Sequence, residues 1–241
     1  MHMEIEEILR ARIPAIQGRD AKNNKLVLET LALHGPLIKY DIFKALKVRN
    51  VRYYPTISRR VDDLKERGYL GIAGERTITV GKRREASPTY ALTWSGFIAS
   101  LTIERVIRDI PKVLENSPLL KFPVPRDMVI GVIKELFMPK EIETITRAIF
   151  MGFLKALPRD IESIEEEKYL AYIIPGLLEA PEIKEKFEKK DLSKLLQVPG
   201  FLEFVWNLID SFETQLSESL KGIRIIRKRL QKYVQNISIE A

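Results

Sequence analysis

The chain has 241 residues, 45% of them hydrophobic and 30% charged, which is enough apolar side chain for a packed core and excludes a disordered composition. It has no cysteine and two histidines, which excludes disulfides, thiolate metal sites and a cysteine nucleophile and leaves almost no room for histidine triads or most zinc sites. Its net charge of +7 lies wholly in residues 1–103, which hold 18 Lys+Arg against 11 Asp+Glu, whereas residues 104–241 hold 22 against 22.

The pattern predicts a short amphipathic helix over 3–16, with Ile5, Ile8, Leu9, Ile13 and Ile16 on one side and Pro14 and Gly18 ending it. A second helix is expected over 24–34, stopped by Gly35 and Pro36, and a third over 40–46 with Ile42, Phe43 and Leu46 apolar. The basic connector V-R-N-V-R-Y-Y leads to Pro55, preorganised for a first turn, and a fourth helix runs to Arg67 with Ile57, Val61 and Leu64 inward and Gly68 as its cap. Segments 69–73, 77–80 and 89–92 read as extended, with G-K-R-R-E-A-S-P between the last two as a polar loop. Thr93 should cap a helix that carries Trp94, Phe97, Ile98, Leu101, Val106 and Ile110 inward and ends at Pro111. Tyr90 and Trp94 read as core, and His34 as a helix-end residue.

Residues 112–241 read as helical, broken at Pro118, Pro123–Pro125, Pro139, Pro158, Pro175–Gly176, Pro181 and Pro199–Gly200. The final helix, 201–234, places Ile209, Phe212, Leu216, Leu220, Ile223, Ile226, Leu230 and Val234 in a near-heptad seam. Glu162, Glu165, Glu166 and Glu167 form an acidic run that reads as a solvated helix face.

The order helix, helix, basic connector, helix, strand, basic hairpin, strand, helix resembles the winged helix-turn-helix transcription regulators of the PadR and MarR type. T-I-S-R-R-V-D-D-L-K-E-R-G-Y-L, 56–70, is similar to their recognition helix and the strand entering the wing. Y-A-L-T-W-S-G-F-I-A-S-L, 90–101, is similar to the strand leaving the wing and the helix after it. The likeness covers about residues 23–101 and is more specific for the fold than for the subfamily; the C-terminal part matches no family. It implies a winged-helix domain with a small β-hairpin wing over 23–103; the helical patterns on either side make the chain mainly α, with an N-terminal helical extension expected over 1–22 and an all-α dimerisation or sensing domain over 104–241.

The helical wheel agrees. With Ile57, Val61 and Leu64 inward, Arg59 points outward, Thr56 and Ser58 flank it, and Arg60 sits at the edge. An outward arginine near a helix start can reach guanine in a major groove, and the hydroxyls suit phosphate. Asp62, Asp63 and Glu66 also turn outward and would repel phosphate, so only the first turns should enter. An ordinary surface pair between Arg59 and Asp62 or Asp63 is the competing reading. Arg52, Tyr53 and Tyr54 either clamp the backbone or stack, with one tyrosine expected under the helix start. Lys82, Arg83 and Arg84 at the wing tip suit the minor groove or flanking phosphates, or else merely protect a strand edge.

A one-sided positive field is the footprint of phosphate binding, so double-stranded DNA is the expected partner. A homodimer through the final helix, at Ile209, Phe212, Leu216, Leu220, Ile223 and Leu230, is expected, because one winged helix reads few base pairs; packing of that seam within one monomer is the alternative. The cations near the C-terminus, Arg224, Arg227, Lys228, Arg229 and Lys232, read as a second phosphate surface or a solvated face. No cofactor, metal or catalytic constellation is expected: the chain has no G-x-x-x-x-G-K-[ST] loop and no G-x-G-x-x-G turn. No apolar run is long enough to span a bilayer and the acidic start is unlike a secretory signal, so no membrane role and a cytoplasmic location are expected. The scarcity of Asn and Gln leans thermophilic or archaeal, His2 is open to being a cloning remnant, and a small-molecule effector is open. Two other readings stand beside a regulator: a winged-helix protein-interaction module in a larger assembly, and a non-regulatory architectural, plasmid-maintenance or replication protein.

Overall fold

The computed structural model describes residues 8–9, 11–49, 51, 53–80, 83–122, 125–157, 160–165, 168–169, 206 and 210. The chain divides into two compact units, 1–192 and 193–241; Trp206 and Asp210, both helical and exposed, are the described residues of the second. The expected final helix and its dimer seam, Ile209, Phe212, Leu216, Leu220, Ile223 and Leu230, lie outside the described residues, as do Arg52 and Lys82.

Three helices form the first layer: α1 (Ala21–His34), α2 (Lys39–Lys47) and α3 (Tyr54–Glu66). They pack pairwise through Val27, Leu28, Leu31, Ile42, Leu46, Ile57, Val61 and Leu64, all essentially inaccessible, as the i, i+4, i+7 spacing requires. Residues 8–9 and 11–12 are helical and Pro14–Ile16 is a 3-10 turn, so the expected N-terminal helix ends at Arg12, four residues short of 16, and a tighter turn follows. Helix α3 closes in a Schellman motif. Gly68, at φ 80°, lets its N–H reach Lys65 and the Tyr69 N–H reach Leu64, and this turns Tyr69 into the core.

The hairpin follows, β1 (Leu70–Val80) antiparallel to β2 (Arg83–Leu92), with an irregularity between Ile72 and Gly74. The sequence suggested three short extended segments, 69–73, 77–80 and 89–92, with a polar loop between the last two; instead one strand runs from 70 to 80 and residues 83–88 are zipped against 75–80. Polar residues can form this ribbon because it stands in solvent on both faces, where no apolar alternation is needed. Leu37 adds a single bridge on the far side of β2: its N–H bonds the Tyr90 carbonyl at 3.1 Å and the Tyr90 N–H bonds its carbonyl at 2.9 Å. Tyr90 therefore presents its polar groups to the outer edge. Pro88, two residues earlier, presents its missing N–H to the same unpaired edge, where proline is tolerated.

Thr93 caps α4 (Trp94–Ser100) as expected, accepting the Gly96 N–H. The single helix expected to run to Pro111 is instead three: α4, α5 (Glu104–Ile107) and α6 (Ile110–Glu115). Ser100 and Thr102 hydroxyls bond the carbonyls of Phe97 and Ala99, competing with helix continuation, and Pro111 starts the third piece rather than ending the first. Helices α7 (Arg126–Leu136) and α8 (Pro139–Ala156) follow, then a 3-10 turn at Ile161–Ser163. This arrangement, mainly helical with a two-stranded hairpin after three helices, is consistent with a winged helix. The buried cluster runs from Ile13 to Tyr169 without a break at residue 103; Trp94 stacks on Tyr169, which stacks on Phe153. Among the described residues no helix is long and apolar enough to cross a membrane.

Candidate nucleic-acid interface

The start of α3 is the most exposed part of that helix: Tyr53, Tyr54, Pro55, Thr56 and Arg59 are open, and Ser58 is partly covered. Both carboxylates that could hold Arg59 are engaged elsewhere. Asp62 meets Lys39 of α2 at 2.5 Å, and Asp63 meets Arg60 at 3.4 Å. Arg59 thus has no ion-pair partner among the described residues. The same pairs reduce the negative charge that would repel a phosphate farther along the helix.

Arg60 is a correction. It was expected at the edge of the DNA-facing surface but is 8% exposed, with its guanidinium 2.6 Å from Asp20. The reason is tertiary: Asp20, just ahead of α1, supplies a counter-charge on the inner side of α3 that no helical wheel contains. Arg60 therefore braces α3 against the start of α1.

Of the two tyrosines, Tyr54 packs, its ring 5.6 Å from Phe43 and 6.3 Å from Tyr40, while Tyr53 is 72% exposed. Tyr40 was not expected here. It is 59% exposed and shares an outer stripe of α2 with exposed Lys44 and Lys47, a spacing of i, i+4, i+7 legible in the sequence but attached to no role.

Arg83 and Arg84 lie at the wing end, exposed, opposite Val80 and Thr79. Successive strand residues face opposite sides, so the two guanidinium groups flank the ribbon. Lower on the wing, Arg76 is tied at 2.5 Å to Asp41 of α2, which braces the hairpin against the helices. Behind the interface, Glu29 is almost fully buried and is bridged by both Arg49 nitrogens, at 2.7 and 3.1 Å, and by Arg105 at 3.2 Å. The hydrogen bond and charge of Glu29 hold the Arg49 pKa above its ordinary value against the cost of burial, so Arg49 is a structural cation.

A division of labour results. Of the seven described arginines between residues 21 and 100, Arg49, Arg60, Arg67 and Arg76 each meet a carboxylate, and Arg59, Arg83 and Arg84 do not.

No protein-family model matches the chain, and no curated protein matches it. Among solved structures it is similar to the crystal structure of Bacillus subtilis PadR in complex with operator DNA, with 16% identity and a TM-score of 0.27 over 68% of this chain and 96% of that one. A superposition of that quality fixes neither partner nor contacts.

Proposed function

We propose that this chain binds double-stranded DNA as a homodimeric transcription regulator. The observation that carries the reading is the set of arginines left without a carboxylate, Arg59 on α3 and Arg83 and Arg84 on the wing, while the other described arginines of the same region are paired. Unpaired, exposed guanidinium groups on a helix start and on a projecting hairpin suit a polyanion with grooves. In this reading the first turns of α3 enter the major groove, with Arg59 reading base edges and Thr56 and Ser58 on phosphates. Arg52, Tyr53 and Tyr54 lie beside the groove, and Lys82, Arg83 and Arg84 reach the neighbouring minor groove or backbone. Arg60 leaves the contact set because it is committed inward. The near-heptad spacing of Ile209, Phe212, Leu216, Leu220, Ile223 and Leu230 supports two-fold pairing, which would present two such heads to a palindromic site.

The test is duplex affinity by fluorescence anisotropy across salt concentrations, on protein whose mass is set by light scattering. A dimer with steep inverse salt dependence supports the regulator. Weak, salt-insensitive binding supports a protein-interaction module instead, and tight binding spread without preference over genomic sites supports an architectural protein.

A further inference from the structure

The Schellman turn at Gly68 ends α3 and opens the wing. Tyr69, its second residue, is completely buried. Its hydroxyl accepts the Ala15 N–H at 3.2 Å and donates to Glu162 Oε1 at 2.6 Å. Arg67, the C-cap of α3, brings Nη2 to 2.5 Å from the same carboxylate oxygen and lays its guanidinium 5.6 Å from the Tyr69 ring centroid. The far strand joins at this point too. The Thr93 N–H bonds the Tyr69 carbonyl at 3.2 Å, and its hydroxyl bonds the Gly68 carbonyl at 2.6 Å. One corner thus fixes the end of the reading helix and both roots of the wing.

Glu162 reaches this corner from a hydrogen-bonded 3-10 turn more than ninety residues away in sequence. Ile161 is fully buried, Asp160 accepts the Ser163 N–H at 3.1 Å, and the Tyr169 hydroxyl donates to the Ile161 carbonyl at 2.6 Å. Burial opposes the charge on Arg67, but the hydrogen bond and charge of Glu162 raise its pKa above the ordinary value, so the ion pair persists.

We propose that Glu162 is a positioning residue for the DNA-reading head: by holding Arg67 and Tyr69 together it sets the angle between α3 and the wing, so that both engage one duplex. This rests on the DNA-binding reading above.

The experiment pairs hydrogen exchange on the free protein with duplex affinity, for Glu162→Ala, Glu162→Gln, Tyr69→Phe and the Glu162→Gln/Tyr69→Phe pair. Glu162→Ala should speed exchange at residues 67–71 and 91–93 and leave the middle of α1 protected. Its affinity should fall by about fivefold or more, the low end of ordinary site-to-site coupling, with a shallower salt slope because α3 and wing no longer bind together. Glu162→Gln keeps an acceptor for Tyr69 and should fall between Ala and wild type; adding Tyr69→Phe should cost less than the sum of the two single changes. If Glu162→Ala does not fold, the Gln variant carries the same test. Unchanged exchange at 67–71 overturns the proposal, as does faster exchange with unchanged affinity and slope. If wild type binds no duplex, the DNA reading fails, and exchange alone then decides whether Glu162 holds the corner.

Discussion

Replacing Arg83 and Arg84 together by alanine tests the proposed wing contact most directly. Both side chains are exposed and neither meets a carboxylate among the described residues, so stability should change by no more than about 0.5 kcal/mol. They occupy adjacent positions of β2, opposite Val80 and Thr79, and so face opposite sides of the ribbon. A ribbon entering a minor groove edge-on would carry one guanidinium to each phosphate backbone. Each neutralised phosphate adds about 0.9 to the slope of log affinity against log salt, so the double variant should lose about 1.8. Between about 50 and 200 mM salt, wild type should then lose about twelvefold more affinity than the variant. The assay is anisotropy on a short labelled duplex at four or five salt concentrations, with the two single variants alongside. Edge-on entry predicts about 0.9 from each single change. A ribbon lying flat predicts one silent arginine and a total near 0.9. A double variant with the wild-type slope would refute the wing contact.

Arg59→Ala should weaken binding and flatten the preference among duplexes of different sequence; equal loss on every sequence would make Arg59 a phosphate contact. Arg60→Ala should cost about 1–3 kcal/mol in urea unfolding, since it strips Asp20 and Asp63 of their buried partner, and should leave the salt slope alone. A lower slope at unchanged stability would return Arg60 to the DNA side. Tyr69 gives a pH signature. Burial first, then the hydrogen bond to Glu162, push its phenol well above the ordinary value near 10. The folded state therefore keeps a proton that the unfolded chain releases, so this contribution to stability is complete below about pH 10 and falls above it, by up to about 1.4 kcal/mol per pH unit. Tyr69→Phe should be less stable at neutral pH but lose less between about pH 9 and 11; parallel losses in both proteins would contradict the buried, protonated phenol.

Much of the reading head is legible in the sequence because it follows local rules. Ile57, Val61 and Leu64 at helical spacing set the rotation of α3, Gly68 its end and Thr93 the start of the next helix. What escaped depends on partners distant in sequence. Arg60 turns inward because Asp20 lies forty residues upstream. Leu37 forms a single rung, which has no periodicity to detect. The strand over 83–88 escaped because a ribbon wet on both faces has no apolar alternation. Glu162 was read with Glu165, Glu166 and Glu167 as a solvated helix face; it instead stands in a 3-10 turn, bound to Arg67 and Tyr69. Composition cannot separate a carboxylate that meets water from one that meets a distant arginine.

The boundary in charge at residue 103 is a property of the surface, and the core ignores it. Trp94, two residues beyond β2, lies edge-on to Phe122 and stacks on Tyr169, while Ser95 shares a hydrogen bond with the Tyr169 hydroxyl at 2.7 Å. Helix α1, on which α3 packs, is also covered by α5 and α6. The basic head is therefore supported by the same charge-neutral part of the chain that carries Glu162. If Arg59, Arg83 and Arg84 meet DNA as proposed, the pairs Arg60 on Asp20, Arg49 on Glu29 and Arg67 on Glu162 brace that surface without drawing on them. The first two pairs tie α3 and the turn before it to α1 and its start, the third ties the end of α3 to the turn after α8, and none of them uses Arg59, Arg83 or Arg84.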